Sequence, residues 1–136
     1  MGEEGRKVLV ADDDKLLVEL ISANLEAAGF EVVKAYDGEE AIRKALSERP
    51  DLVVLDVLMP GKDGWEVLEE LKSRPETRQT PVVLLTILAG REHVAKGWGK
   101  GADFYLTKPF DPEDLVEVVG RLLKVRRARE EVGGGV

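Results

Sequence analysis

The stretch LVVLDVLMPG, residues 52–61, decides the fold class of this chain. Its first four residues are apolar, which is typical of the inside of a strand, but the run ends on the carboxylate of Asp56. A charge is costly to bury without compensation, so the position of Asp56 needs a reason. The run is continuous rather than alternating, as expected for a parallel strand that is buried on both faces. The stretch therefore predicts a parallel sheet with an acidic site at the end of one strand.

Four other short runs rich in apolar residues alternate with amphipathic segments along the chain. Asp37 and Asp63 each stand at an N-cap position with a glutamate three residues later, and Asp111 precedes a proline at the start of the last helix. The order is (βα)5, and because crossovers between parallel strands are right-handed, helices should cover both faces of the sheet. The predicted strands are residues 7–11, 30–35, 52–56, 82–86 and 104–107.

The fourth predicted helix, within residues 89–101, is the weakest. Gly97 and Gly99 lie in its later part, and each costs roughly 1 kcal/mol against alanine in a helix. We expect this helix to be the most mobile one. His93 is interpreted as a solvated residue, and Trp98 either fills the core or contacts a partner.

The composition indicates a single globular domain. The chain has 136 residues, no cysteine and a net charge of −7, and no apolar run approaches the ~18 residues of a membrane span. The negative charge argues against nucleic-acid binding by this domain, and the absence of cysteine fits a cytoplasmic location. We expect the domain to cover residues 1–129 and residues 130–136 to form a disordered tail. The basic run at residues 121–129 either complements the helix dipole or contacts a partner or linker.

Acidic residues follow two of the predicted strands. Asp12 and Asp13 end the first strand and Asp56 ends the third. In an open α/β sheet, ligands bind beyond the carboxyl ends of the strands, so these carboxylates should converge if the two strands are neighbours. Like charges at such a distance need compensation, and oxygen ligands favour Mg²⁺ or another divalent cation.

The ends of the other two strands add groups that suit a phosphoryl group. Thr86 supplies a hydroxyl and Lys108 an ammonium at the same edge of the sheet. Asp56 is then the natural acceptor, because carboxylates form covalent phosphoryl intermediates. This interpretation explains why a strand ends on a charge.

The motifs VLVADDD, DVLMPGKDG, LLT and GADFYLTKPF, in this order and spacing, resemble the receiver domain of bacterial two-component response regulators. The likeness covers residues 7–123. It implies a flavodoxin-like, doubly wound α/β fold with a five-stranded parallel sheet in the order 2-1-3-4-5.

The resemblance also implies roles at the metal site. Asp56 would be the phosphoacceptor, and Asp13, Asp56 and the backbone carbonyl of Leu58 would bind Mg²⁺ directly. Asp12 would act through water. Pro60 and Gly61 would form the turn of the loop that wraps the metal.

Further roles follow for the other strand ends. Thr86 and Lys108 would hold phosphoryl oxygens, and Tyr105 would be an aromatic switch. The peptide bond between Lys108 and Pro109 would be cis.

By this resemblance the chain is a phosphorylation-dependent switch rather than an enzyme, with at most weak Mg²⁺-dependent self-phosphorylation and autodephosphorylation. Asp56 would take the phosphoryl group from the phosphohistidine of a sensor histidine kinase or a phosphotransfer protein. The surface of the fourth helix, fifth strand and fifth helix would then change to control a protein effector or a fused output domain. The same surface would serve a phosphorylation-linked dimer if the chain is not a monomer; no membrane partner is expected.

Three positions depart from the family pattern. Ile87 stands where a small residue is usual, and Leu58 and Leu88 stand where polar side chains are common. Since polar side chains can order an attacking water, we expect slow dephosphorylation and slow uptake from small phosphodonors.

Two alternatives remain at this point. A dehalogenase-type enzyme also uses an aspartate at a strand end, but it needs a second aspartate two residues later, where this chain has Leu58. A receiver-like module that binds partners without phosphorylation is the other alternative, which Ile87 leaves open.

Overall fold

The computed structural model describes residues 5–87 and 101–134, with side chains described as far as Glu130. Five parallel strands form one sheet in the order β2-β1-β3-β4-β5, which confirms the predicted topology. The strands are β1 (Lys7–Ala11), β2 (Glu31–Ala35), β3 (Leu52–Asp56), β4 (Val82–Thr86) and β5 (Phe104–Thr107).

Helices cover both faces of this sheet within the described residues. Apolar side chains of α2 and α3 pack on one face, and those of α1 and α4 pack on the other. The two buried clusters share the sheet between them, which makes the fold doubly wound, as predicted. The helices are α1 (Lys15–Ala27), α2 (Gly38–Glu48), α3 (Gly64–Ser73) and α4 (Pro112–Gly134).

The central strands carry the core because both of their faces are covered. All five residues of β3 and of β4 are buried, as their unbroken apolar runs predict. The outer strands β2 and β5 are partly exposed, and Phe104 in β5 is 39% exposed.

Aspartates begin the first three helices. The Asp63 carboxylate accepts a hydrogen bond from Glu66 N at 2.9 Å. The Glu66 carboxylate accepts one from Asp63 N at 3.2 Å, which completes the predicted capping box. Asp37 caps α2 through Glu40 N at 2.8 Å, but Glu40 turns its own carboxylate to the N–H of Tyr36. The third cap, Asp14 on α1, was not predicted.

The last helix differs from its prediction at its end. It continues to Gly134, whereas a disordered tail was expected from Glu130 onward. An ion pair between Arg126 Nε and Glu130 Oε1 at 3.0 Å, one helical turn apart, supports the continuation. The domain boundary at Arg129 stays a prediction.

Several predictions fall on residues that are not described. The fourth predicted helix, which contains His93 and Trp98, lies outside the described residues. So does Leu88, one of the three positions that depart from the family pattern. Among the helices of the described ranges, none is long and apolar enough to cross a membrane.

Candidate functional site

Two carboxylates lie side by side at the carboxyl edge of the sheet. Ala11 of β1 lies opposite Leu55 of β3, so Asp12 and Asp56 follow on neighbouring strands at the carboxyl edge. Asp12 is fully buried and Asp56 is 5% exposed. The convergence predicted from the two strand ends is therefore present in the structure.

Lys108 joins these two carboxylates. Its Nζ donates to Asp12 Oδ2 at 2.9 Å and lies 3.2 Å from Asp56 Oδ1. Burial lowers the pKa of Lys108, but the hydrogen bond to Asp12 and the charges of Asp56 and Asp12 raise it, and the net pKa is raised. Lys108 is thus a fixed ammonium at the centre of the site.

Asp13 adds a third carboxylate to a cluster that could hold a metal ion. One carboxylate oxygen from each of Asp12, Asp13 and Asp56 lies within 4.8 Å of the others, and Asp13 is exposed to solvent. Among the described residues of the site, three carboxyl groups lie together and Lys108 pairs with two of them, so acidic groups are in excess. Hard oxygen donors with this excess fit Mg²⁺ or a similar divalent cation.

The pKa of Asp56 is raised from 3.8 to about 6. Burial is the largest cause and the Asp12 carboxylate adds to it, while Lys108 and a backbone hydrogen bond from Leu58 act in the opposite direction. Near neutral pH the carboxylate is therefore ionised, but at a free-energy cost to the folded chain.

The loop that follows Asp56, residues 57–63, is anchored by alternate side chains. Val57 and Met59 are buried, while the Leu58 side chain between them is 50% exposed. The backbone N–H of Leu58 faces the Asp56 carboxylate. Gly61 has a φ of 74°, a left-handed conformation that glycine adopts without strain.

Thr86 and Tyr105 lie on the last two strands. Thr86, the final residue of β4, is 3% exposed and sits in register with Thr107 at the same edge as Asp56. Tyr105 packs its ring against Trp65 with 6.2 Å between ring centroids and 47° between ring planes. The peptide bond between Lys108 and Pro109 is cis, as the resemblance implied.

An apolar rim borders the site on the α1 side. Ile87 is 61% exposed and lines a cavity of about 260 Å³ together with Lys108. Leu16 and Leu20 of α1 are also exposed, at 83% and 49%. The rim thus lies between the Lys108 ammonium and the exposed surface of α1. The other lining residues of the cavity are Leu17, Leu20, Pro109, Phe110 and Pro112.

Two features of the site were not found from sequence. The N–H of Asp14 donates to Asp12 Oδ1 at 3.0 Å, which orients that carboxylate. Gly38 and Gly64 pack directly on the loop after Asp56. The signal available for the glycines was that each follows a capping aspartate, in the pairs DG at 37–38 and 63–64.

The sequence and the fold both match known proteins. The profile of the response regulator receiver domain matches residues 8–120. The chain is 42% identical over 119 residues to the alkaline phosphatase synthesis transcriptional regulatory protein PhoP of Bacillus subtilis, covering 88% of this chain and 49% of PhoP. It is 41% identical over 126 residues to the response regulator PleD of Caulobacter vibrioides, covering 93% of this chain and 28% of PleD.

A solved structure gives the same result. The receiver domain of the Francisella response regulator 1452 superimposes with a TM-score of 0.83 at 38% identity, covering 88% of this chain and 98% of that one. The chain thus matches an isolated receiver domain over nearly its whole length. It spans about half the length of PhoP and less of PleD.

Proposed function

The chain belongs to the family of response regulator receiver domains, which are signalling switches, and on this premise we propose that Asp56 is its phosphoacceptor. The observation that carries this proposal is the Lys108 ammonium, 2.9 Å from Asp12 and 3.2 Å from Asp56 at the carboxyl edge of the sheet. A phosphoryl group on Asp56 would meet this cation and the Thr86 hydroxyl. The family assignment leaves no support for the dehalogenase-type alternative.

The proposed reaction is a transfer from phosphohistidine. An oxygen of the Asp56 carboxylate attacks phosphorus, the bond from phosphorus to the histidine nitrogen breaks, and its electron pair stays on the imidazole. Lys108 stabilises the charge on the phosphoryl oxygens because it is held at the site before the donor arrives. Thr86 donates its hydroxyl to a second oxygen.

Asp13, Asp56 and the backbone carbonyl of Leu58 would hold Mg²⁺ directly, with Asp12 acting through water. The bound cation supplies compensation for the negative charge of the carboxylates and the phosphoryl group. The described site supports this set because its three carboxylates outnumber the single ammonium. Pro60 and Gly61 turn the loop that presents the Leu58 carbonyl.

A protein is the proposed phosphodonor, either a sensor histidine kinase or a phosphotransfer protein. The apolar rim formed by Leu20 and Ile87, which line one cavity with Lys108, supports this choice, because exposed apolar patches beside a reactive group are typical of contact surfaces. A small phosphodonor would gain nothing from such a rim.

Tyr105 is the proposed link between Asp56 and the output surface. Thr86 would move toward the phosphoryl group, and Tyr105 would turn into the space that it leaves. Tyr105 is half-buried on the edge strand β5 and its ring contacts Trp65, so a turn of the ring would also change its packing against the start of α3. The surface that changes would include β5, α4 and the predicted fourth helix.

The controlled partner is a protein effector or an output domain fused to the chain. PhoP and RpaA of Synechocystis, by their names, regulate transcription, and the chain covers 49% of each. In those two proteins the region that matches this chain is about half of the sequence. Phosphorylation-linked dimerisation through the same surface is the proposed alternative to a monomeric response.

Self-phosphorylation and autodephosphorylation should both be slow. Leu58 in the loop after Asp56 and Ile87 beside Lys108 are exposed apolar residues, and neither can order a water by hydrogen bonding. Leu88 was assigned the same role from the sequence.

The test is phosphotransfer from a phosphorylated histidine kinase domain, with hydrogen exchange as the second measurement. The parent should be labelled in Mg²⁺ and not in EDTA, and Asp56→Asn should not be labelled. Beryllium fluoride with Mg²⁺ should change exchange in β5 and α4 as well as near Asp56. No labelling of the parent with any kinase tried, together with unchanged exchange, would favour a module that binds partners without phosphorylation.

A further inference from the structure

Gly38, the first residue of α2, lies against the loop that follows Asp56. A Cβ atom built at this position would be 2.0 Å from the carbonyl oxygen of Lys62 and 2.8 Å from its Cβ. Real Cβ atoms do not come this close to backbone, so any side chain at position 38 would force one element to move. Gly38 does not have a positive φ, so it is the close approach that requires glycine here.

The other end of the same loop is packed in a similar way. A Cβ at Gly64, the first residue of α3, would lie 2.3 Å from the carbonyl oxygen of Asp56 and 2.7 Å from Val57 Cα. The N–H of Gly64 also donates to the carbonyl of Val57 at 2.8 Å. The first residues of two helices therefore hold residues 57–63 from both sides.

We propose that Gly38 is a positioning residue for the phosphorylation site, which fixes the loop 57–63 and with it the Leu58 backbone beside Asp56. This inference rests on the proposed function of Asp56 and adds to it a residue outside the carboxylate cluster. The proposal is that Gly38 sets the position of two backbone groups of Leu58. The N–H faces the Asp56 carboxylate, and the carbonyl is the proposed metal ligand.

The loop, rather than α2, should yield to a side chain at position 38. Helix α2 is fixed by its Asp37 cap and by Ala41 and Ala45, which are fully buried in the core. The middle of the loop is exposed at Pro60 and Gly61. A displacement at Lys62 would therefore pass along the loop toward Leu58.

The test compares Gly38→Ala with two matched variants. Ala45→Gly weakens the same helix seven residues after Gly38, by roughly 1 kcal/mol in helix propensity and by a similar amount for the buried methyl group that it removes. Gly120→Ala makes the same chemical change in α4, where a Cβ would meet nothing within 4 Å. Three quantities are measured in each: Mg²⁺ affinity by fluorescence titration, the metal-free amide chemical shift of Leu58, and the phosphotransfer rate.

Gly38→Ala should bind Mg²⁺ at least about tenfold more weakly than the parent, as changes to groups that orient metal ligands typically do. It should also shift the Leu58 amide, while Ala45→Gly and Gly120→Ala match the parent in both. Affinity within twofold of the parent and an unchanged Leu58 shift would overturn the proposal, as would an equal loss in Ala45→Gly.

Two further outcomes are separated by the design. If the parent takes no phosphoryl group, the proposed function fails, while the Leu58 shift and the Mg²⁺ affinity still decide the role of Gly38. If Gly38→Ala does not fold, the change is repeated with Asp56→Asn, which removes one charge from the cluster, and the Leu58 amide shift is compared within that background. A shift supports the proposal, and its absence overturns it.

Discussion

Replacing Asp56 by asparagine should stabilise the metal-free protein at neutral pH. The pKa of this carboxyl is raised from 3.8 to about 6, chiefly because it is buried and lies near Asp12. Each unit of difference between the folded and unfolded pKa corresponds to 1.36 kcal/mol. Ionised Asp56 therefore costs the folded state about 3 kcal/mol, and asparagine of nearly the same shape removes that cost.

The pH dependence gives the prediction its sign. Because the folded pKa is above the unfolded one, the stability that protonated Asp56 contributes is fully present below pH ~4 and is lost as the pH rises through about 6. Asp56→Asn and the parent should thus be nearly equal in stability near pH 4. The difference in stability between Asp56→Asn and the parent should grow between pH 4 and pH 6 and stay constant above pH 6. Lys108 keeps Asp12 as a partner in the variant, so its ammonium is not left alone.

The assay is urea and thermal unfolding in EDTA from pH 4 to 8. For a chain of this length, about 3 kcal/mol corresponds to a rise in Tm of roughly 10 °C. Asp63→Asn is the matched control, since it makes the same change at a helix cap where asparagine serves as well as aspartate. That control should change stability by less than about 1 kcal/mol. The reasoning is refuted if Asp56→Asn is less stable than the parent at pH 7.5, or if the gap is the same at pH 4 and pH 7.5.

Two other changes test the metal site and the access to it. Asp13→Ala removes an exposed carboxylate that is a proposed ligand and should weaken Mg²⁺ binding by tenfold or more without lowering stability. Fluorescence titration measures the affinity and urea unfolding measures the stability. An affinity equal to that of the parent would contradict the metal assignment. Leu58→Asn with Ile87→Ala should speed the decay of the phosphorylated protein by several-fold, because a polar group can then order water. Decay no faster than that of the parent would refute the proposal that these apolar side chains slow hydrolysis.

Much of the fold could be predicted because the sheet is parallel and buried. The bounds of β3 and β4 match their apolar runs residue for residue, since both faces of these strands are covered. The convergence of Asp12, Asp13 and Asp56 was predicted on the condition that the first and third strands are neighbours, an order that the family resemblance supplied. The carboxyl ends of neighbouring parallel strands then meet at one edge.

The rest depended on contacts between distant segments. The sequence indicates Lys108 as a cation for phosphoryl oxygens, but not that it already joins Asp12 and Asp56. A glycine after a capping residue is common, so nothing local separates Gly38 from an ordinary helix start. The tail after Arg129 has the composition of a loop, but the last helix continues through it to Gly134.

The proposed switch depends most on which residue is phosphorylated. Borohydride reduction of the phosphorylated parent converts an aspartyl phosphate to homoserine, and mass spectrometry of the peptides then locates the modified residue. We predict a single modification, at Asp56, which is absent in EDTA. Modification at Asp12 or Asp13, or undiminished labelling of Asp56→Asn, would contradict the account.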